Sequence, residues 1–128
     1  MKKPSAAELI KLSGLENLRS LAIIGLSKNA GKTTSLNHLI RAWTEEEMER
    51  PLALTSVGRD GEGEDIVSGI CKPRIYLPKG HLLATSVASL KRCDALVDLR
   101  ELSGIRSAFG EIVIGKMLSD GYVELAGP

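Results

Sequence analysis

The first part of the chain alternates between helical and strand-like patterns of apolar residues. Ser5 and Glu8 have the spacing of a capping box just before apolar positions at helical intervals. We therefore expect an amphipathic helix over residues 5–13 that ends at Gly14. Residues 21–25 are apolar without polar alternation, which is typical of a strand buried on both faces. The pattern predicts a short helix followed by a central strand.

A second helix is predicted after a short, polar, glycine-containing turn. Its apolar positions recur at the spacing of one helical face, and they are Leu36, Leu39, Ile40 and Trp43. This spacing predicts a helix over residues 32–48, and Pro51 ends it. A strand, a turn and a helix thus follow one another over residues 21–48.

The second half of the chain predicts short strands rather than long helices. Strands are expected over 52–57, 74–77, 81–85, 94–99, 111–118 and 122–125. We expect two hairpins, one that joins 74–77 to 81–85 through Pro78-Lys79-Gly80 and one that joins 111–118 to 122–125. Residues 87–92 are expected to form one or two helical turns. Residues 58–65 are glycine-rich and acidic, which predicts a loop.

This order of elements predicts an α/β fold of the P-loop nucleoside triphosphatase type. We expect a mainly parallel sheet with flanking helices and antiparallel hairpin additions. A length of 128 residues predicts one domain over residues 1–128. Because the sheet of this class normally continues with further strands, we also expect the chain to be an N-terminal piece of a longer protein.

Composition removes several function classes. The net charge is +1 and only 3% of residues are aromatic, so neither the charge nor base-stacking material favours nucleic acid as a partner. No apolar run is long enough for a membrane span, and no signal peptide is evident. Cys71 and Cys93 lack metal-ligand spacing, which favours two reduced thiols in a cytoplasmic protein.

The polar turn carries the residues that a triphosphate requires. Gly31-Lys32-Thr33 opens the predicted second helix, as in a loop whose backbone N–H groups surround phosphates. The usual spacing places a first glycine at residue 26, where this chain has Leu26, with Gly25 one position early. That glycine serves mainly the turn out of the strand, so the departure changes the entry to the loop and leaves the phosphate-binding part intact.

Each residue of the loop has an expected role. Lys32 would contact the outer phosphates, Thr33 would bind Mg²⁺, and Thr34 would lie near the inner phosphate of ATP or GTP. Lys32 and Thr33 would also be the catalytic residues if the nucleotide is hydrolysed. The full set predicted to bind nucleotide is Lys28, Asn29, Ala30, Gly31, Lys32, Thr33 and Thr34. Lys28 and Asn29 either contact phosphate or only shape the loop.

Two acidic residues are candidates on the magnesium side. Asp60 lies in the acidic segment and could act on Mg²⁺ through water or through another ligand of the ion, although a solvated loop charge explains it at least as well. Glu124 alternates with Val123 and Leu125, which favours an exposed strand face over a magnesium role. No arginine or glutamine can be assigned to orient an attacking water, so nucleotide binding is the firmer prediction and hydrolysis follows only from the fold class.

Four stretches resemble one known family: residues 25–34, 54–62, 72–76 and 123–128. They are similar to the P-loop subunit of the lysine 5,6-aminomutase reactivase of amino-acid-fermenting bacteria. The resemblance implies a chaperone-like nucleoside triphosphatase that works with a second reactivase subunit. Its target would be a cobalamin-dependent aminomutase that also uses pyridoxal phosphate, on which damaged cobalamin is exchanged for adenosylcobalamin.

Two other interpretations remain open. One is a GTP-binding accessory protein of molybdenum-cofactor biosynthesis, which has a similar Gly-Lys-Thr-Thr loop and short β insertions. The other, from a different class, is a non-catalytic phosphate-binding or assembly module. Missing further strands would favour the module.

Overall fold

A computed structural model describes residues 4–26, 31–60 and 74–128. The chain divides into two compact units, Met1–Arg50 and Pro51–Pro128, and each is described by itself. That the chain acts as one domain stays a prediction from its length.

The first unit begins with the predicted capped helix. Helix α1 spans Ala6–Ser13. The Ser5 hydroxyl accepts the N–H of Glu8 at 3.2 Å, and the Glu8 carboxylate accepts the N–H of Ser5 at 2.9 Å. Gly14 ends the helix with a left-handed φ of 66°, which a residue without Cβ adopts at little cost. The predicted capping box and helix end are confirmed.

Helix α2 spans Lys32–Glu45 and packs against α1. It begins where the sequence predicts and ends three residues earlier than residue 48. Its buried residues include Ile40 and Trp43. The Trp43 indole N–H donates to the carbonyl of Arg50 at 2.7 Å, so the chain beyond the helix folds back onto its last turns.

The predicted central strand at 21–25 is wrong. Residues 21–25 have no regular secondary structure, and Leu21 and Ile24 are 52% and 83% exposed. An apolar run favours burial, but a strand also needs a neighbouring strand to pair its N–H and C=O groups. Among the residues that the structure describes, this segment has no such neighbour.

The second unit is built from short strands. They are β1 Ala53–Leu54, β2 Arg59–Asp60, β3 Ile75–Leu77, β4 Leu82–Ser86, β5 Val97–Ser107, β6 Gly110–Met117, β7 Gly121–Val123 and β8 Leu125–Ala126. One short helix, α3 Val87–Leu90, follows β4, as predicted. The buried side chains of this unit are mostly aliphatic, among them Leu77, Leu83 and Met117.

The largest sheet has the strand order β1-β4-β6-β5 and is mixed. Strands β1 and β4 are parallel, whereas β6 is antiparallel to both β4 and β5. Two further pairs, β2 with β8 and β3 with β7, are antiparallel. The α/β class is therefore confirmed in its coarse form, but the described strands do not form the mainly parallel sheet that the sequence predicts.

Both predicted hairpins have the wrong partners. Strand β3 pairs with β7, while β4 pairs with β1 and β6, so the turn at Pro78-Lys79-Gly80 leads from one sheet to another. The actual hairpin joins β5 to β6 through Ala108 and Phe109. Strand positions follow from local patterns, but the choice between partners of similar apolar character depends on the whole fold. No helix in the described part of the chain is long and apolar enough to cross a membrane.

Candidate functional site

The start of α2 has the backbone geometry of an anion-binding helix end. Gly31 precedes the helix with a φ of 89° and a ψ of 17°, in the left-handed region that favours glycine. Glycine has no side chain that could cap the helix, and the first turn contains no acidic residue. The first N–H groups of an α-helix lack carbonyl partners within it, so this end presents donors and a positive dipole.

The side chains of the first turn are accessible. Lys32 and Thr34 are exposed, and Thr33 is half-buried. An ammonium group and two hydroxyls thus accompany the first N–H groups of the helix in the same turn, which suits a phosphate with a bound cation. Three predicted contributors, Lys28, Asn29 and Ala30, lie outside the described residues.

The surroundings of this turn match the predicted motif on one side only. The helix that follows Gly31 is formed, whereas the preceding residues 21–25 are not a strand and Leu26 is fully exposed. The helix therefore provides the dipole and the donors, and the described chain does not provide a buried strand before them.

Asp60 lies on a strand rather than in the predicted loop. Strand β2 pairs with β8 so that Arg59 is in register with Ala126 and Asp60 with Leu125. The rest of the acidic segment, residues 61–65, lies outside the described part of the chain. The β2 pairing gives the backbone at Asp60 a defined position within the second unit.

Glu124 does not lie on an exposed face, so the interpretation that the sequence favours is wrong. The residue is 8% exposed. Its Oε1 accepts the Ser89 hydroxyl at 2.9 Å and lies 3.3 Å from the Arg92 guanidinium. The alternation of apolar and polar residues does not indicate an exposed face here, because Val123 and Leu125 are buried and Glu124 is buried as well. A buried carboxylate with these donors is a satisfied polar group.

The chemistry of the proposed magnesium ligands is suitable, since Mg²⁺ prefers hydroxyl and carboxylate oxygens and the chain offers Thr33 and Asp60. Within the described ranges, no group of three or more His, Cys, Asp or Glu side chains could hold a metal ion. A magnesium ion held by a nucleotide's phosphates needs fewer protein ligands than that. The magnesium site stays a prediction.

Sequence reasoning missed Thr85, which is fully buried in β4. Its hydroxyl donates to the carbonyl of Glu124 and accepts the N–H of Ala126, both at 2.9 Å. These two bonds join β4 to β8. A threonine in the short, mainly apolar segment of β4 gives no sequence signal for this role, because its partners lie about forty positions away along the chain.

Two other polar side chains have structural environments. The Nδ1 of His81 accepts the N–H of Leu52 at 2.9 Å, and burial lowers the pKa of this imidazole. Burial also raises the pKa of the Cys93 thiol, which therefore stays protonated and poorly nucleophilic. The structure gives Cys93 no environment of a reactive thiol. Cys71 is outside the described residues.

Comparison with known protein families, with curated proteins and with solved structures finds no match to this chain. Function must therefore be inferred from the residues and their geometry.

Proposed function

We propose that residues 28–34 bind the phosphates of ATP or GTP together with Mg²⁺. One observation carries this proposal: Gly31 adopts a left-handed conformation directly before a helix whose first residues are Lys32 and Thr33. Backbone N–H groups at that end would surround the phosphates. The Lys32 ammonium would neutralise the outer phosphates, as a compact point charge does in such loops.

Magnesium would supply charge neutralisation between the outer phosphates. The Thr33 hydroxyl would bind the ion, and Asp60 would act on it through water or through another ligand of the ion. Thr34 would donate to an inner phosphate. We propose a cytoplasmic nucleoside triphosphatase in which Lys32 and Thr33 stabilise the transferred phosphoryl group, with no nucleic acid or membrane partner.

The use of the nucleotide is proposed from the family resemblance. Binding and hydrolysis would switch contacts with a partner protein, and that partner would be a second reactivase subunit acting on a cobalamin-dependent aminomutase. The nucleotide would then regulate the exchange of damaged cobalamin. If the genes next to this one encode no cobalamin-dependent mutase, this assignment of the partner is wrong.

The binding experiment compares the whole chain with its Lys32→Ala variant. Calorimetry with non-hydrolysable ATP and GTP analogues in Mg²⁺ should show binding to the unaltered chain and at least about a tenfold loss in the variant, since a charge-assisted phosphate contact contributes about 1.5–3 kcal/mol. Lys11, exposed on α1, gives the matched control, because Lys11→Ala removes the same charge away from the loop. Equal affinities in all three proteins would remove the proposal.

A non-catalytic phosphate-binding module is the second candidate, and the exposed, irregular segment at 21–25 favours it. A loop without a buried strand before it can hold an anion without the rigid support that catalysis requires. Phosphate release separates the two candidates. Release no faster than that of Lys32→Ala, in a protein that still binds nucleotide, would establish the module.

A further inference from the structure

Strand β5 lies at one edge of the largest sheet in the second unit. The strand order β1-β4-β6-β5 makes β6 its one strand partner in the described part of the chain. The outer side of an edge strand presents N–H and C=O groups that another strand can pair, and proteins commonly limit this risk with very short edge strands. Strand β5 is eleven residues long, so it offers a long edge for a further strand.

A bulge in β5 places two exposed leucines on the same face of the sheet. Leu99 is in register with Gly115 and Leu102 with Val113, so the two leucines are three residues apart while their partners in β6 are two apart. Residues two apart on a strand point to the same face, and the extra residue of β5 is accommodated as a β-bulge. Val113 is buried, whereas Leu99 and Leu102 are 52% and 62% exposed. The apolar face of β6 therefore continues to the uncovered edge.

Charged residues of β5 lie on the opposite face. Asp98 is in register with Lys116 and Glu101 with Ile114, and these partners are again two residues apart on β6. The Nε of Arg100 lies 2.9 Å from the Oδ2 of Asp98, which places the Arg100 side chain on this face as well. Arg100 and Glu101 are exposed. The middle of β5 thus has leucines on one face and charges of both signs on the other.

A second copy of β5, antiparallel to the first, fits this pattern in one register. With a two-fold axis between residues 100 and 101, Leu99 of each copy lies opposite Leu102 of the other, and Arg100 lies opposite Glu101. Because both copies have the bulge at the same place, opposite residues share a face. A shift of one residue would place Arg100 opposite Arg100 or Glu101 opposite Glu101, and like charges directly opposite each other are unfavourable.

We propose that two copies of this chain dimerise through β5, with residues 97–104 of the two copies paired antiparallel. The backbone bonds are those of strand addition at a sheet edge, and each dimer adds two leucine pairs on each side of the axis and two opposite-charge pairs between the copies. A two-fold interface of this kind is closed, so assembly stops at two chains. The dimer requires no nucleotide and goes beyond the proposed function.

Sedimentation equilibrium of the whole chain without nucleotide should show a reversible monomer–dimer equilibrium. Arg100→Glu places two carboxylates opposite each other at both charge pairs, so it should weaken dimerisation about tenfold or more. Glu101→Arg places two cations there and should have the same effect. Lys91→Glu makes the same change of charge at an exposed position after α3 and should leave the dimer unchanged. Circular dichroism checks that each variant is folded.

Two combinations of the charge reversals test the register. The double variant Arg100→Glu with Glu101→Arg again has opposite charges across the edge, so it should dimerise like the unaltered chain. An equimolar mixture of the two single variants should also dimerise, because each copy then faces the opposite sign. Contacts within one chain cannot produce that rescue. Amide exchange at residues 97–104 should slow as the protein concentration rises, whereas exchange in β1, at the other edge of the sheet, should not.

The outcomes are decisive in both directions. A chain that stays monomeric overturns the proposal and leaves the edge to a strand of another protein. A dimer that both single charge reversals leave unchanged also overturns it, because the contact then lies on another surface. A mixture of the folded single variants that stays monomeric overturns the register and the proposal with it. None of these results bears on nucleotide binding, which the Lys32→Ala comparison decides separately.

Discussion

Each unit of this molecule contains a polar side chain that joins distant segments, but one of these side chains is exposed and the other is buried. In the first unit, Arg50 acts from the surface: its guanidinium donates to the carbonyl of Glu16 at 2.8 Å and lies 5.9 Å from the centre of the Trp43 ring. In the second unit, Thr85 acts from the interior: it is fully buried in β4, and its hydroxyl bonds to the backbone of Glu124 and Ala126. Both side chains join segments that are far apart in sequence.

The two side chains differ in whether water can take their place as a hydrogen-bond partner after a substitution. When an exposed guanidinium is removed, water solvates the carbonyls that it leaves. When the buried hydroxyl is removed, a carbonyl and an N–H lose their partner where water has no access, and the full desolvation cost remains. The two hydrogen bonds of buried Thr85 should therefore contribute more to stability than the two of exposed Arg50. Three experiments, from the largest expected effect to the smallest, test this difference.

The largest effect is expected for Thr85→Val. The shape of the side chain is nearly kept, but two buried backbone groups lose their partner, so the free energy of unfolding should fall by about 3 kcal/mol. Urea unfolding followed by the circular dichroism of the tyrosines reports on this unit, because both tyrosines, Tyr76 and Tyr122, belong to it. Ser107→Ala removes two hydrogen bonds at a solvent-facing turn, and its cost should stay below about 1 kcal/mol. Equal losses in the two variants would contradict the importance of burial.

The elements that the sequence predicts correctly are those decided within a few residues. The Ser5–Glu8 capping box, the end of α1 at Gly14 and the start of α2 at Lys32 each depend on residues within one or two helical turns. The phosphate-binding role of the turn before α2 rests on the same local basis and stays a prediction. The position of this turn at the start of α2 follows from the glycine before the helix.

The parts that could not be predicted depend on distant partners. Nothing near β3 specifies that it pairs with β7, which lies more than forty residues away. The apolar run at 21–25 predicts a buried strand only on the assumption that neighbouring strands exist. Glu124 has an alternating pattern typical of exposure, yet its carboxylate is buried and accepts hydrogen bonds from Ser89 and Arg92, which a local pattern cannot show.

A smaller effect is expected for Arg50→Ala. The variant loses two exposed hydrogen bonds, to the carbonyls of Glu16 and Leu18, and a cation–π contact with Trp43, so the free energy of unfolding should fall by about 1 kcal/mol. Trp43 is the single tryptophan of the chain and lies in the first unit, so its fluorescence during urea unfolding reports on that unit. Arg41→Ala removes the same charge from an exposed position of α2 and should change stability by less than about 0.5 kcal/mol. A loss as large as that of Thr85→Val would show that exposure does not weaken such a contact.

The smallest effect is expected for acid at His81, which shares with Thr85 a buried bond to the backbone. Its Nδ1 accepts the N–H of Leu52, so the neutral ring is the form that fits, and burial lowers the pKa of this imidazole below its ordinary 6.5. Below that value the unfolded chain binds the proton more readily than the folded chain. The contribution of His81 to stability is thus complete above pH 6.5 and is lost progressively as the pH falls below it.

Urea unfolding of the second unit at pH 7.5 and at pH 5.5 measures the loss. His81→Asn keeps an oxygen acceptor without titrating, so it should reduce the pH dependence, and the same pH dependence in both proteins would assign the acid sensitivity to other groups.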